Sequence, residues 1–162
     1  GLVTVDACFE NNIQAALAAG LEVGVYFYSQ AVNAAEAKME ARMVLDLIEP
    51  YDITYPVVYD WETAGSAGAR TNNLDCATLT ECALAFAETV AEAGYTPMIY
   101  YNSDLAYLRY DLSQLTDYDG WYAGYNTAPE FYYGFRMWQY TSSGSVDGIQ
   151  GRVDMNICFQ PY

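Results

Sequence analysis

The 162-residue chain contains no histidine and only one lysine, Lys38. Without histidine there is no Ser/His/Asp triad, no Cys/His dyad and no imidazole metal ligand, so chemistry falls to carboxylates, tyrosines or cysteines. Positive charge is scarce: six Lys+Arg face 21 Asp+Glu, a formal charge of -15. Such a chain cannot present the basic stripe that phosphate backbones require, which argues against nucleic acid and anionic membrane as partners. No apolar run reaches the ~20 residues of a membrane span, and no signal peptide is legible. The first residue is Gly1 rather than Met, as expected where something upstream has been removed. Cys8, Cys76, Cys82 and Cys158 include no CxxC pair and do not make a disulfide scaffold in a chain this long, so they are expected to be buried or incidental thiols.

What is present suits one folded unit over residues 1–162, with 53% apolar and 16% aromatic residues. The 17 tyrosines exceed the needs of a core; flat rings with a polar tip suit a sugar-binding or peptide-binding cleft.

Helix and strand signals alternate along the chain. Phe9, Ile13, Ala16 and Leu17 keep helical spacing up to Gly20, and Glu22 to Tyr28 reads as a strand. Asn33 can cap a helix from Ala34 to about Ile48, with Met39, Met43 and Leu47 expected on its buried stripe; a strand Tyr55 to Trp61 follows Pro50. Thr78 to Glu81 has the form of a capping box opening a helix with Leu79, Ala83, Phe86 and Val90 inward, closed by Gly94 ahead of a strand Pro97 to Tyr101. Gly20 to Ser29 and Gly94 to Ser103 echo one another as helix end, glycine, strand. Gly120 to Tyr125, Phe135 to Tyr140 and Arg152 to Cys158 give three more strands with little helix between them. Helices between the first four strands predict a parallel α/β sheet. No Gly-rich phosphate loop follows the first strand, which favours a barrel over a doubly wound nucleotide fold. Six strands fall short of the eight, and the ~200 to 250 residues, of a complete barrel.

In Tyr59-Asp60-Trp61-Glu62 the period of two puts both carboxyls on one face near a strand's carboxyl end, about 6.6 Å apart along it. Like charges that close resist joint ionisation, so one can keep a proton while the other stays charged, the acid and anion of glycoside hydrolysis. A solvated strand end would look the same. Tyr100, Asn102, Tyr125, Gln139, Asp154 and Asn156 are expected on the same rim, where barrels place chemistry. Tyr26, Tyr100 and Tyr125 are the better candidates for ligand contact, and Trp61 and Trp138 for core packing.

Gly20-Leu21-x-Val23-Gly24-Val25-Tyr26, Tyr59-Asp60-Trp61-Glu62, Gly94-Tyr95-x-Pro97-x-Ile99-Tyr100, Trp121-x-Ala123-x-Tyr125 and the long block from Trp138-Gln139-Tyr140 to Asp154-Met155-Asn156 together resemble glycoside hydrolase family 25, the Ch-type lysozymes. The resemblance implies an irregular β/α barrel of TIM type. The implied activity is that of a muramidase, cutting the β-1,4 bond after N-acetylmuramic acid in bacterial peptidoglycan without metal or cofactor, outside the cell or at its wall. Glu62 would be the general acid and base, Asp60 would stabilise developing charge, and Asp154 would be the third carboxylate. Tyr26, Tyr100, Trp121, Tyr125 and Gln139 would line sugar subsites. Family members begin with a strand bearing an Asp-x-Ser-type motif, a helix and a second strand. The chain is expected to start after these, and Asp6, which precedes a helix, is not that aspartate. An unclosed barrel exposes strand edges that invite pairing with another copy. Two other readings are an inactive or glycan-binding remnant, and a metal-dependent deacetylase, for which the usual histidine ligands are missing.

Overall fold

The computed structural model describes residues 4–66 and 68–162. Its elements run α1 (Phe9–Ala18), β1 (Val25–Tyr28), α2 (Ala34–Ile48), β2 (Val57–Asp60), α3 (Cys76–Glu92), β3 (Pro97–Asn102), α4 (Ser103–Leu108), a 3-10 turn (Leu112–Gln114), β4 (Asp119–Ala123), β5 (Met137–Gly144) and β6 (Val153–Cys158). The strands lie side by side in chain order in one curled six-stranded sheet, a half-barrel with β1 and β6 at its edges.

Pairing is parallel from β1 through β5, as expected, but β6 pairs antiparallel with β5. The expectation of an all-parallel sheet is corrected here by loop length. Only residues 145–152 join β5 to β6, too short a link for a crossover, so the chain turns back as a hairpin. The reversal matters for the rim: Val153, at the start of β6, pairs with Gly144 at the end of β5.

Local signals account for most of the helices. Asn33 Oδ1 accepts the Glu36 N–H at 3.0 Å and opens α2 where the sequence places it. Gly20 and Gly94 take φ of 75° and 88°, the left-handed conformation that closes α1 and α3. Two expectations fail. The buried stripe of α2 is Ala37, Glu40, Ala41, Val44 and Ile48, while Met39 is 61% exposed; small alanines let α2 lie close against α3, which the methionines would prevent. And α3 starts at Cys76, because Asp75 Oδ1 takes the Thr78 N–H at 2.7 Å; Thr78 is inside the first turn and is not the cap. Cys82 of α3 is buried, and Cys8 and Cys76 are exposed.

The main core fills the space between the convex face of the sheet and the helices, with Val57, Tyr59, Trp61, Phe86, Ile99 and Tyr122 at its centre. Trp61 and Trp138 are both buried there, and the Arg109 guanidinium stands over the Trp61 ring at 5.0 Å. The concave face holds only a small apolar cluster of Val58, Met98, Tyr100 and Ala123. Where β1 enters the sheet the backbones are in tight contact: a Cβ on Gly24 would stand 2.6 Å from the Pro56 carbonyl oxygen. Because backbone cannot yield as a side chain does, Gly24→Ala is expected to cost roughly 1–3 kcal/mol. A thermal melt within about a degree of wild type would contradict this.

Candidate functional site

Alternation along the strands sorts the side chains. Tyr59, Ile99, Tyr101, Tyr122 and Trp138 face the helices, so Val58, Asp60, Met98, Tyr100, Trp121, Ala123, Met137 and Gln139 face the concave side. In register, Tyr28 pairs with Asp60, Asp60 with Tyr100, and Tyr100 with Trp121. The last residue of β2 is thus set between two aromatic neighbours, and Glu62 follows two residues beyond the strand end. Since β6 runs backwards, Asp154 near its start reaches the same rim, and Asn156 pairs with Gln139.

The aromatic positions interlock. Trp121 meets Tyr100 edge to face at 5.1 Å and Tyr26 at 6.4 Å, and its indole N–H donates to Asn156 Oδ1 at 2.9 Å. The hydroxyls of Tyr100 and Tyr125 both donate to Oε1 of buried Gln139, at 3.0 and 2.8 Å. One amide oxygen therefore orients two rings. Replacing it by an apolar group, Gln139→Leu, leaves the buried Tyr100 hydroxyl without its partner and is expected to cost about 2 kcal/mol, read by urea denaturation. Tyr26 is 65% exposed on the concave side and Tyr28 also faces solvent there.

Electrostatics follows from position. Asp60 is only 7% exposed, and its Oδ1 accepts no hydrogen bond from the described protein. Burial, with Glu62 nearby, pushes its carboxyl up to about 7. Glu62 is half-buried; loss of water, then the charge of Asp154, raises its pKa too. The same charges reach the phenols: burial foremost, then Asp60 and Asp154, raise Tyr26, and burial followed by Glu62 raises Tyr100. A buried acceptor without a partner is an unsatisfied polar group, and here it stands in the strand register between Tyr28 and Tyr100. Among the described residues no group of three His, Cys, Asp or Glu is placed to hold a metal ion.

Asp60, Glu62, Asp154, Tyr26, Tyr100, Trp121, Tyr125 and Gln139 are brought to one concave rim. Asn102 is not available there: its side chain caps α4 by accepting the Leu105 N–H at 2.9 Å. Sequence reasoning passed over Tyr28, although it shares Tyr26's period of two.

The family model of the Glycosyl hydrolases family 25 matches residues 1–149. A lysozyme of Streptococcus phage Cp-7 is 35% identical over 122 residues, covering 68% of this chain and 33% of the phage protein. The uncharacterized protein YegX of Escherichia coli K12 is 30% identical over 162 residues, 94% of this chain and 54% of YegX. Among solved structures, the modular autolysin LytC from Streptococcus pneumoniae, in complex with a synthetic peptidoglycan ligand, aligns with a TM-score of 0.84 at 30% identity, over 94% of this chain and 37% of LytC. The chain spans 33% of the phage lysozyme and about half, 54%, of YegX.

Proposed function

Because the chain belongs to glycosyl hydrolases family 25, we propose that it is a muramidase acting on bacterial peptidoglycan, with residues 1–162 forming one catalytic domain that works at the cell wall. One observation carries the reading: a half-buried carboxyl, Glu62, stands beside a buried one, Asp60, whose Oδ1 has no protein partner, on a rim of tyrosines and a tryptophan.

In the free protein burial favours the protonated form of Asp60, the more deeply buried carboxyl. Substrate reverses this. A sugar ring seated against Trp121 and Tyr26 removes water from Glu62, while the N–H of its N-acetyl group donates to the Asp60 carboxylate and favours the charged form there. Glu62, now protonated, gives its proton to the glycosidic oxygen as the bond from C1 breaks, and the N-acetyl carbonyl oxygen forms a new bond to C1. Asp60, charged and hydrogen-bonded to the N–H, offsets the positive charge that develops. Glu62, a carboxylate after giving up its proton, takes one from a water that attacks C1 and releases the N-acetyl oxygen. The product is a free reducing end and Glu62 is again protonated. Asp154 keeps negative potential at the rim and so helps Glu62 retain its proton until transfer.

The test is mass spectrometry of soluble products after incubation with purified peptidoglycan. Disaccharide-peptides with muramic acid at the reducing end are expected. Saturable binding of glycan fragments with no turnover at any pH would overturn the muramidase reading in favour of a glycan-binding module.

A further inference from the structure

A fourth carboxyl group lies behind the rim and takes no part in the chemistry above. Glu40 sits on the buried stripe of α2, only 8% exposed. It forms no ion pair at salt-bridge distance among the described residues. Both its oxygens are used by the loop that leaves β1. Oε2 accepts the Ser29 hydroxyl at 2.6 Å and Oε1 accepts the Gln30 N–H at 3.0 Å. Ser29 is itself fully buried; its Oγ accepts the Ala31 N–H at 3.2 Å, and its carbonyl receives the Gln30 side-chain amide at 2.9 Å. The link to the site is one bond further on: the Ser29 N–H donates to the carbonyl oxygen of Asp60 at 2.7 Å.

This arrangement is costly. Alanine and aliphatic neighbours surround the helix position, and burial raises the Glu40 carboxyl, with Ser29 and Gln30 opposing that rise. An apolar side chain would avoid the desolvation of a carboxyl group that has no cation at salt-bridge distance and only the more distant charge of Arg70 to offset it. What Glu40 supplies that an apolar residue cannot is a pair of acceptors fixing three successive residues, 29 to 31, where the backbone leaves the sheet next to Asp60.

We infer that Glu40 is a positioning residue of the hydrolytic site: through Ser29 and Gln30 it fixes the loop after β1 and thereby the end of β2 that carries Asp60. The inference rests on the muramidase reading, deepening it by a residue that never touches substrate. Tyr28, adjacent to Ser29, is in register with Asp60.

The experiment compares wild type, Glu40→Leu and Glu40→Gln in steady-state hydrolysis of a soluble peptidoglycan oligosaccharide, with a thermal melt of each. Glu40→Leu is expected to lower kcat about tenfold or more with KM changed less than about twofold, since misplacement of reacting groups falls mainly on the chemical step. Glu40→Gln, which keeps an acceptor for the Gln30 N–H, is expected to recover most of that loss. A kcat for Glu40→Leu within twofold of wild type overturns the inference, as does a loss in both variants that tracks their melting temperatures. If Glu40→Leu does not fold, Ser29→Ala, which removes the hydroxyl and leaves the backbone bond, replaces it under the same criteria. If wild type itself shows no turnover, the muramidase reading fails separately, and the clamp is read from the NMR signals of the Asp60 amide and carboxyl carbon in the free protein. Signals displaced in Glu40→Leu, or in Ser29→Ala where that variant replaces it, support the clamp; unchanged signals overturn it.

Discussion

Glu62→Gln is expected to lower kcat on purified peptidoglycan by about a thousandfold, while glycan binding stays within a few-fold of wild type, since a general acid contributes roughly 10²–10⁴ in rate. The amide keeps the size and polarity of the carboxyl but has no proton to give the leaving oxygen. Wild type should show a pH profile set by the pair and not by either carboxyl alone. Burial raises both groups, helped by the charge of Glu62 at Asp60, which goes up to about 7, and by the charge of Asp154 at Glu62. Above that pH the shared proton is lost and kcat/KM should fall; in acid both carboxyls are protonated and Asp60 can no longer offset positive charge, so the profile is a bell. A Glu62→Gln protein that releases muramic reducing ends at the wild-type rate would remove Glu62 from the mechanism.

Asp60→Asn should abolish turnover yet make the protein more stable in mild alkali. The sign follows from linkage. The folded-state pKa of Asp60 lies near 7 against an ordinary 3.8, so between these values the folded protein binds the extra proton and stability falls as pH rises. Below about pH 4 nothing is lost; above about pH 7 the full cost is present. Three units correspond to roughly 4 kcal/mol at the upper bound, and the expected gain is on the order of 2 kcal/mol. Asparagine has no charge to desolvate, so at pH 8 the variant should melt roughly 4–8 °C above wild type, with the gap closing near pH 4. A variant melting below wild type at pH 8 would mean that the Asp60 carboxylate is stabilised by the fold.

The gain from removing a residue and the loss of activity then have one cause. Asp60 is held dry, beside a like charge and without a protein donor for its Oδ1, so its charged form is costly in the free protein.

Much of this was legible before any fold was known. The bounds of α2, the closure of α1 and α3 by Gly20 and Gly94, and the six strands in their order along the chain follow from caps, positive-φ glycines and alternation, which act within a few residues. The pair at Asp60 and Glu62 was legible for the same reason, since a period of two needs only one strand. The misreadings also have local causes. Asp75 and Thr78 are both good caps, and only the packing of α3 decides that the helix begins at the earlier one. The methionines of α2 satisfy helical spacing as well as its alanines do, and only the approach of α3 selects the narrower face.

By itself, then, the sequence determined the element types, their order, the absence of imidazole chemistry and the residues from which a cleft could be made, because these depend on composition and on neighbours along the chain. Tertiary structure alone decided which carboxyl is the drier, that Gln139 orients two tyrosines, that β6 turns back to bring Asp154 to the rim, and that Glu40 serves a loop and not solvent. Those outcomes depend on distance from water and on contacts across 11 to 39 residues of chain. Spacing in sequence carries no information about either until the sheet curls.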